Sequence, residues 1–155
     1  MPSSLLHVTA WHDQLIEGGD YPASSVFVEL FWLPVLGPSA TVLFRRLNLL
    51  LKSRPDGLTL EMNVLSRELG LGTAESKHSP LRRAISRLER FGLAKRSPSG
   101  QLAVRRGAGP LPQHLLNVLD TVLQDAHQSV ISRERACDPD PPATAPWPTA
   151  DLTDD

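Results

Sequence analysis

Apolar residues recur at helical spacing in four stretches of the chain. From Ser79 to Phe91, Leu81, Ile85, Leu88 and Phe91 follow at intervals of four, three and three, so they share one face. Arg83, Arg87 and Arg90, joined by Ser86 and with Arg82 beside them, fall on a different face. Ser79 is a good N-cap, and Pro80 stands where a first helical residue loses nothing by lacking an N–H. Gly92 then stops the helix.

Three further helices follow from the same period. Residues 39–52 carry Val42 or Leu43, Leu47, Leu50 and Leu51 as a buried stripe, with Lys52 at the favourable end. Residues 62–69 place Val64, Leu65 and Leu69 together before Gly70. Residues 113–130 keep a four-three spacing through Leu116, Leu119, Leu123, Ala126 and Val130, widened by Leu115 and Val122. That helix is expected to pack back on the domain or to pair with its twin in a homodimer.

A period of two marks the strands. Leu58–Leu60, after the turn Arg54-Pro55-Asp56-Gly57, is short enough for a single edge strand. Residues 93–106 (LAKR–SPSG–QLAVRR) predict a hairpin in which Leu102 and Val104 alternate with exposed residues. Ser24–Gly37 is the most apolar segment. Its β-branched and aromatic content favours a strand, while Val26, Leu30 and Leu33 also fit a helix face, and both remain open. Phe27, Phe31 and Trp32 belong to the core or an interface, with the core favoured.

Residues 1–23 show no persistent period. Gly18–Pro22 reads as a loop, and Trp11, Leu15 and Ile16 as a short arm docked on the core. The chain thus divides into an arm (1–23), a domain (24–131) that ends in helix 113–130, and a Pro- and Asp-rich tail (132–155) expected to be disordered.

Charge sharpens this picture. The 155 residues are 41% hydrophobic and 21% charged, and the net charge of −1 conceals an uneven distribution. Residues 1–37 hold four acids (Asp13, Glu17, Asp20, Glu29) and no Lys or Arg. Residues 77–106 hold nine bases against Glu89, a net of +8, and residues 133–155 a net of −4. A basic centre between acidic ends points to an anionic partner for the middle of the chain.

Enzyme readings find little support. The five histidines (His7, His12, His78, His114, His127) lack metal-ligand spacing, and the single Cys137 lies in the tail without a disulfide partner. Gly70-Leu71-Gly72 lacks the Lys-Ser/Thr of a phosphate-cradling loop, and no paired carboxylates share a core face. No cofactor, metal or catalytic residue is expected. The first ten residues lack a basic and an apolar region of signal-peptide type, and Val26–Leu36 is too short to span a bilayer. A cytoplasmic location is expected.

The phrases LSRELGLG (65–72), SPLRRAISRLERFGLAKR (79–96) and SGQLAVRR (99–106) resemble the winged helix-turn-helix superfamily, as found in bacterial transcriptional regulators and plasmid replication initiators. With LPVLGPSATVLFRRL (33–47), the stretch 26–130 is also similar to uncharacterised winged-helix proteins of high-GC bacteria. The resemblance implies a mainly α fold with a small β-hairpin. The connector 70–78 is longer than a tight helix-turn-helix turn.

A helix fits the major groove, where arginine pairs with guanine. The resemblance therefore nominates Lys77, Ser79, Arg82, Arg83, Ser86 and Arg87 for base edges. Arg90, Lys95, Arg96, Arg105 and Arg106 are nominated for phosphates and the wing. The expected function is sequence-specific binding of double-stranded DNA, as a transcriptional regulator. The alternatives are a module docking an acidic protein partner and a plasmid replication or partition protein.

Overall fold

The structure, a computed structural model, describes residues 4–11 and 20–136. In chain order it contains β1 (Leu5–Ala10), β2 (Tyr21–Pro22), a π-helical turn (Val28–Trp32), α1 (Leu33–Leu36), α2 (Pro38–Ser53), β3 (Leu58–Glu61) and α3 (Met62–Glu68). It continues with α4 (Pro80–Arg90), β4 (Ala94–Arg96), β5 (Leu102–Val104), β6 (Gly107–Ala108), α5 (Gln113–Leu116) and α6 (Thr121–Ala136).

The expected mainly α winged helix-turn-helix with one small hairpin is corrected. The chain is an α/β protein with a four-stranded mixed sheet, ordered β3-β1-β5-β4, and a two-stranded sheet of β2 and β6. The difference lies in β1, which enters between β3 and the hairpin. It pairs antiparallel with β3 (Leu6↔Leu60, His7↔Thr59) and parallel with β5 (Val8↔Leu102, Ala10↔Val104). Leu6 and Val8 point into the core and Leu5 and His7 outward, the alternation of a strand with one wet face. On that wet face His7 Nδ1 meets Thr59 Oγ1 at 2.8 Å.

The ambiguous segment 24–37 is helical. Phe27, Val28, Phe31, Trp32, Val35 and Leu36 are all buried, and burial on one helical face overrides their β propensity. Pro34 has no N–H to offer the fourth carbonyl back, and the Leu33 N–H reaches the Val28 carbonyl, five residues back, instead. The turn widens to π geometry there.

Helix α2 lies between α4 and the sheet and supplies the centre of the core through Leu43, Phe44, Leu47 and Leu51, all 2% exposed or less. Val42 and Val64 are exposed rather than buried.

The expected helix 113–130 is two helices. The Asp120 carbonyl accepts from Gln124 N–H at 2.9 Å and starts α6, while α5 ends at Asn117. Between them the Val118 and Leu119 N–H groups reach the Leu115 and Leu116 carbonyls, three residues back, at 3.1 and 3.0 Å, so the chain tightens and leaves the α-helical path. The buried stripe of α6 is set by His127 and Ile131, not by Ala126, which is exposed. Through His127 the helix docks on the π-helical turn, with ring centroids 5.2 Å from Phe31 and 5.5 Å from Phe27. Tyr21 stacks on Phe27 and its hydroxyl donates to Glu134. Burial and that acceptor push the Tyr21 pKa up to about 12.

Helix α6 runs into the segment expected to be disordered; the rest of that tail, together with Leu15 and Ile16 of the arm, lies outside the described residues. Among the described residues no helix is long and apolar enough to cross a membrane.

Candidate nucleic-acid interface

The basic helix forms where expected. Ser79 Oγ accepts from the Arg82 N–H at 3.3 Å, and Pro80 follows as the first helical residue. Leu81, Ala84, Ile85 and Leu88 are buried on one face. At its other end, Gly92 (φ +76°) closes a Schellman motif: the Gly92 N–H reaches Glu89 O at 3.2 Å and the Leu93 N–H reaches Leu88 O at 2.9 Å. The chain therefore turns directly from α4 into β4, which ties the hairpin rigidly to the helix.

Opposite the buried face stand Arg83, Ser86 and Arg90, all exposed, with Arg87 on one flank and Arg82 and Glu89 on the other. A groove runs along each flank. The first encloses about 440 Å³ between α4 and the start of α2, and is lined by Gly37–Ala40, Pro80, Arg83, Ser86 and Arg87. The second, about 250 Å³, is lined by Ser4, Leu5, Met62, Lys77, Arg82, Ser86 and Arg96. Ser86 borders both. Helix α4 is thus a ridge between two basic grooves.

The first groove has a second source of positive potential. Gly37 heads α2 at φ +82°, ψ +162°, a backbone region that is almost glycine's alone, and offers no side-chain cap. The N–H groups of Ser39 and Ala40 open the helix without intrahelical partners, at the positive end of its dipole. Arg87 Nη1 lies 3.1 Å from where a Cβ on residue 37 would stand. Glycine is what lets the guanidinium close on the helix start. Pro38 as the first helical residue, ahead of an apolar periodic run, is the sequence signal of this helix start.

The nominated residues divide into three groups. Lys77, Arg83, Ser86, Arg87 and Arg90 are exposed on or beside the ridge. Ser79 and Arg82 are structural. Ser79 is buried as the cap. Half-buried Arg82 donates from Nε to the Ala74 carbonyl and from Nη2 to Ser4 Oγ, both at 3.1 Å. The Ala74 N–H in turn donates to Asn63 Oδ1 at 2.8 Å, so the long connector 70–78 is clamped between α3 and α4.

The third group sits on the hairpin. Arg96 pairs with Glu89 at 3.2 Å. Lys95 Nζ and Arg105 Cζ each lie 4.4 Å from the centroid of Trp11, and Arg105 also approaches Asp20 at 3.8 Å. These cations hold Trp11, whose N–H extends β1 by donating to the Val104 carbonyl at 2.8 Å. Arg106 is not on the ridge at all; it faces a separate pocket beside α2.

Among the described residues no group of three or more His, Cys, Asp or Glu side chains could hold a metal ion. His78 is exposed in the connector, and His114 is exposed on α5. No family model, curated protein or solved structure matches the chain.

Proposed function

We propose that the protein binds double-stranded DNA in a sequence-specific manner and acts as a regulator, with α4 entering the major groove. The observation that carries this reading is the ridge: one exposed helix face bearing Arg83, Ser86 and Arg90, with a basic groove on either side. A major groove about 12 Å wide admits a single helix and has a phosphate strand along each rim. Arg83 and Ser86 face the base edges in this arrangement. Arg87 and the open start of α2 receive one strand, and Lys77 the other. Recognition, not catalysis, is the role assigned, and a cytoplasmic location goes with it.

The test is fluorescence anisotropy of the full chain with random duplex DNA across a salt series. Binding whose log K falls against log salt with a slope of roughly −3 to −6 supports several phosphate contacts and opens an operator search. No binding at low salt, with circular dichroism showing an intact fold, overturns the reading. It would assign the ridge to an acidic protein partner.

A further inference from the structure

On the flank of α2 away from α4's grooves lies a smaller pocket of about 160 Å³, bounded by α2, the β2 region and the segment that leads into β6. Its buried surface comes from Ala23 and Leu51, 3% and 2% exposed, and Leu49 adds an apolar wall that is 61% exposed. Three cations line it. Arg45 and Lys52 lie seven residues apart on α2, so they share a face with Asn48 between them, and Arg106 comes from the opposite side.

The fold supplies carboxylates to other arginines: Glu68 to Arg46, Glu89 to Arg96 and Asp20 to Arg105. It brings none to Arg45, Lys52 or Arg106 among the described residues. Asn48 does not neutralise them either. Its Nδ2 donates to the Phe44 and Arg105 carbonyls, both at 3.0 Å, which fixes the amide as part of the pocket's frame. Arg45, Lys52 and Arg106 are exposed at the pocket's rim, and an anion whose apolar body covered the floor would gain charge-assisted hydrogen bonds from them.

We propose that this pocket binds a small amphipathic organic anion, a carboxylate with a short apolar body. The head group meets Arg45, Lys52 and Arg106, and the body covers Ala23, Leu49 and Leu51. The enclosed volume falls below the 300–1,000 Å³ or so typical of drug-sized ligands, which limits the ligand to a short chain or a single ring. A nucleic-acid backbone is a poor occupant, because its phosphates carry no apolar group for the floor. The site does not depend on the DNA-binding reading, since no ridge residue lines it.

The test uses the isotope-labelled full chain and three probes with the same tail: hexanoate, hexanol and hexylamine. In amide correlation spectra, hexanoate is expected to give saturable shifts at Ala23, Leu49, Lys52 and Arg106, with a Kd of about a millimolar or tighter. Hexanol is expected to bind at least about ten-fold more weakly and hexylamine not at all, as the loss of a charge-assisted contact requires. Arg106→Gln and, separately, Lys52→Gln are expected to weaken hexanoate about ten-fold with circular dichroism unchanged. Lys52 is exposed in the last turn of α2, so its variant serves if Arg106→Gln misfolds. The proposal is overturned by an absence of saturable shifts or by equal affinity for hexanoate and hexylamine. It is also overturned if hexanoate shifts centre on Arg83 and Arg87, or if binding is unchanged in both variants.

Discussion

The guanidinium of Arg82 donates to Ser4 Oγ at 3.1 Å, joining two residues 78 positions apart in the chain. One residue further along α4, Arg83 is exposed and has no such tie among the described residues. Adjacent arginines therefore do different work. Arg82→Ala is expected to lower stability by about 1–3 kcal/mol, because the Ala74 carbonyl and Ser4 lose their donor. Arg83→Ala is expected to leave stability within about 0.5 kcal/mol and to weaken specific DNA binding by about 1–3 kcal/mol. Urea denaturation and anisotropy on both variants check the split; matching behaviour would mean the ridge is misplaced.

Trp11 draws two cations onto its ring. Trp11→Ala is expected to cost about 1–2 kcal/mol of stability, the sum of two partly exposed cation–π contacts. Low-salt affinity for random DNA is expected to hold or rise slightly, since Lys95 is released toward solvent while Arg105 keeps Asp20. A variant that lost affinity in proportion to its stability would contradict this division of labour.

At Gly107 a Cβ would come within 2.3 Å of the Tyr21 carbonyl oxygen, a backbone atom that cannot move without opening the β2–β6 pair. Gly107→Ala is expected to destabilise the fold by roughly 1–3 kcal/mol or more. Faster amide exchange at Tyr21 and Ala23 would locate the damage.

His127 is buried among Phe27 and Phe31, and its Nε2 accepts the Leu111 N–H at 3.1 Å. The ring proton therefore sits on Nδ1, which is buried without a hydrogen-bond partner among the described residues. Burial lowers the His127 pKa from its ordinary 6.5. The folded state thus binds this proton less readily than the unfolded chain, and His127 contributes stability that is present above pH 6.5 and lost as pH falls below it. Denaturant melts at about pH 7.5 and about pH 5.5 are expected to differ, and the difference is expected to shrink in His127→Gln, which keeps an acceptor but does not titrate.

Local pattern read well and long-range pairing did not. Helices α2, α3 and α4 and the β4–β5 hairpin follow from spacing, caps and a Ser-Pro-Ser-Gly turn, all features within a few residues of one another. Strand β1 carries an alternation of only Leu6 and Val8, too short to stand out, and its partners are remote in sequence. Its absence from the reading is what turned an α/β sheet into a simple hairpin. The site shows the same division. Periodicity placed Arg83, Arg87 and Arg90 on the open face, but nothing local marks Arg82 as a clamp, Lys95 and Arg105 as partners of Trp11, or Arg106 as part of another pocket.

The central place of β1 also has a kinetic side. Val8 pairs with Leu102 and Leu6 with Leu60, so both edges of this strand wait on segments far along the chain. The helices and the hairpin close short loops and can form early, whereas β1 must pay a large loop-closure entropy before either ladder rewards it. Insertion of β1 between β3 and β5 is therefore expected to be the slow, late step of folding. Until it happens, β3 and β5 present open edges, and the partly folded chain is at its most exposed to strand-to-strand aggregation.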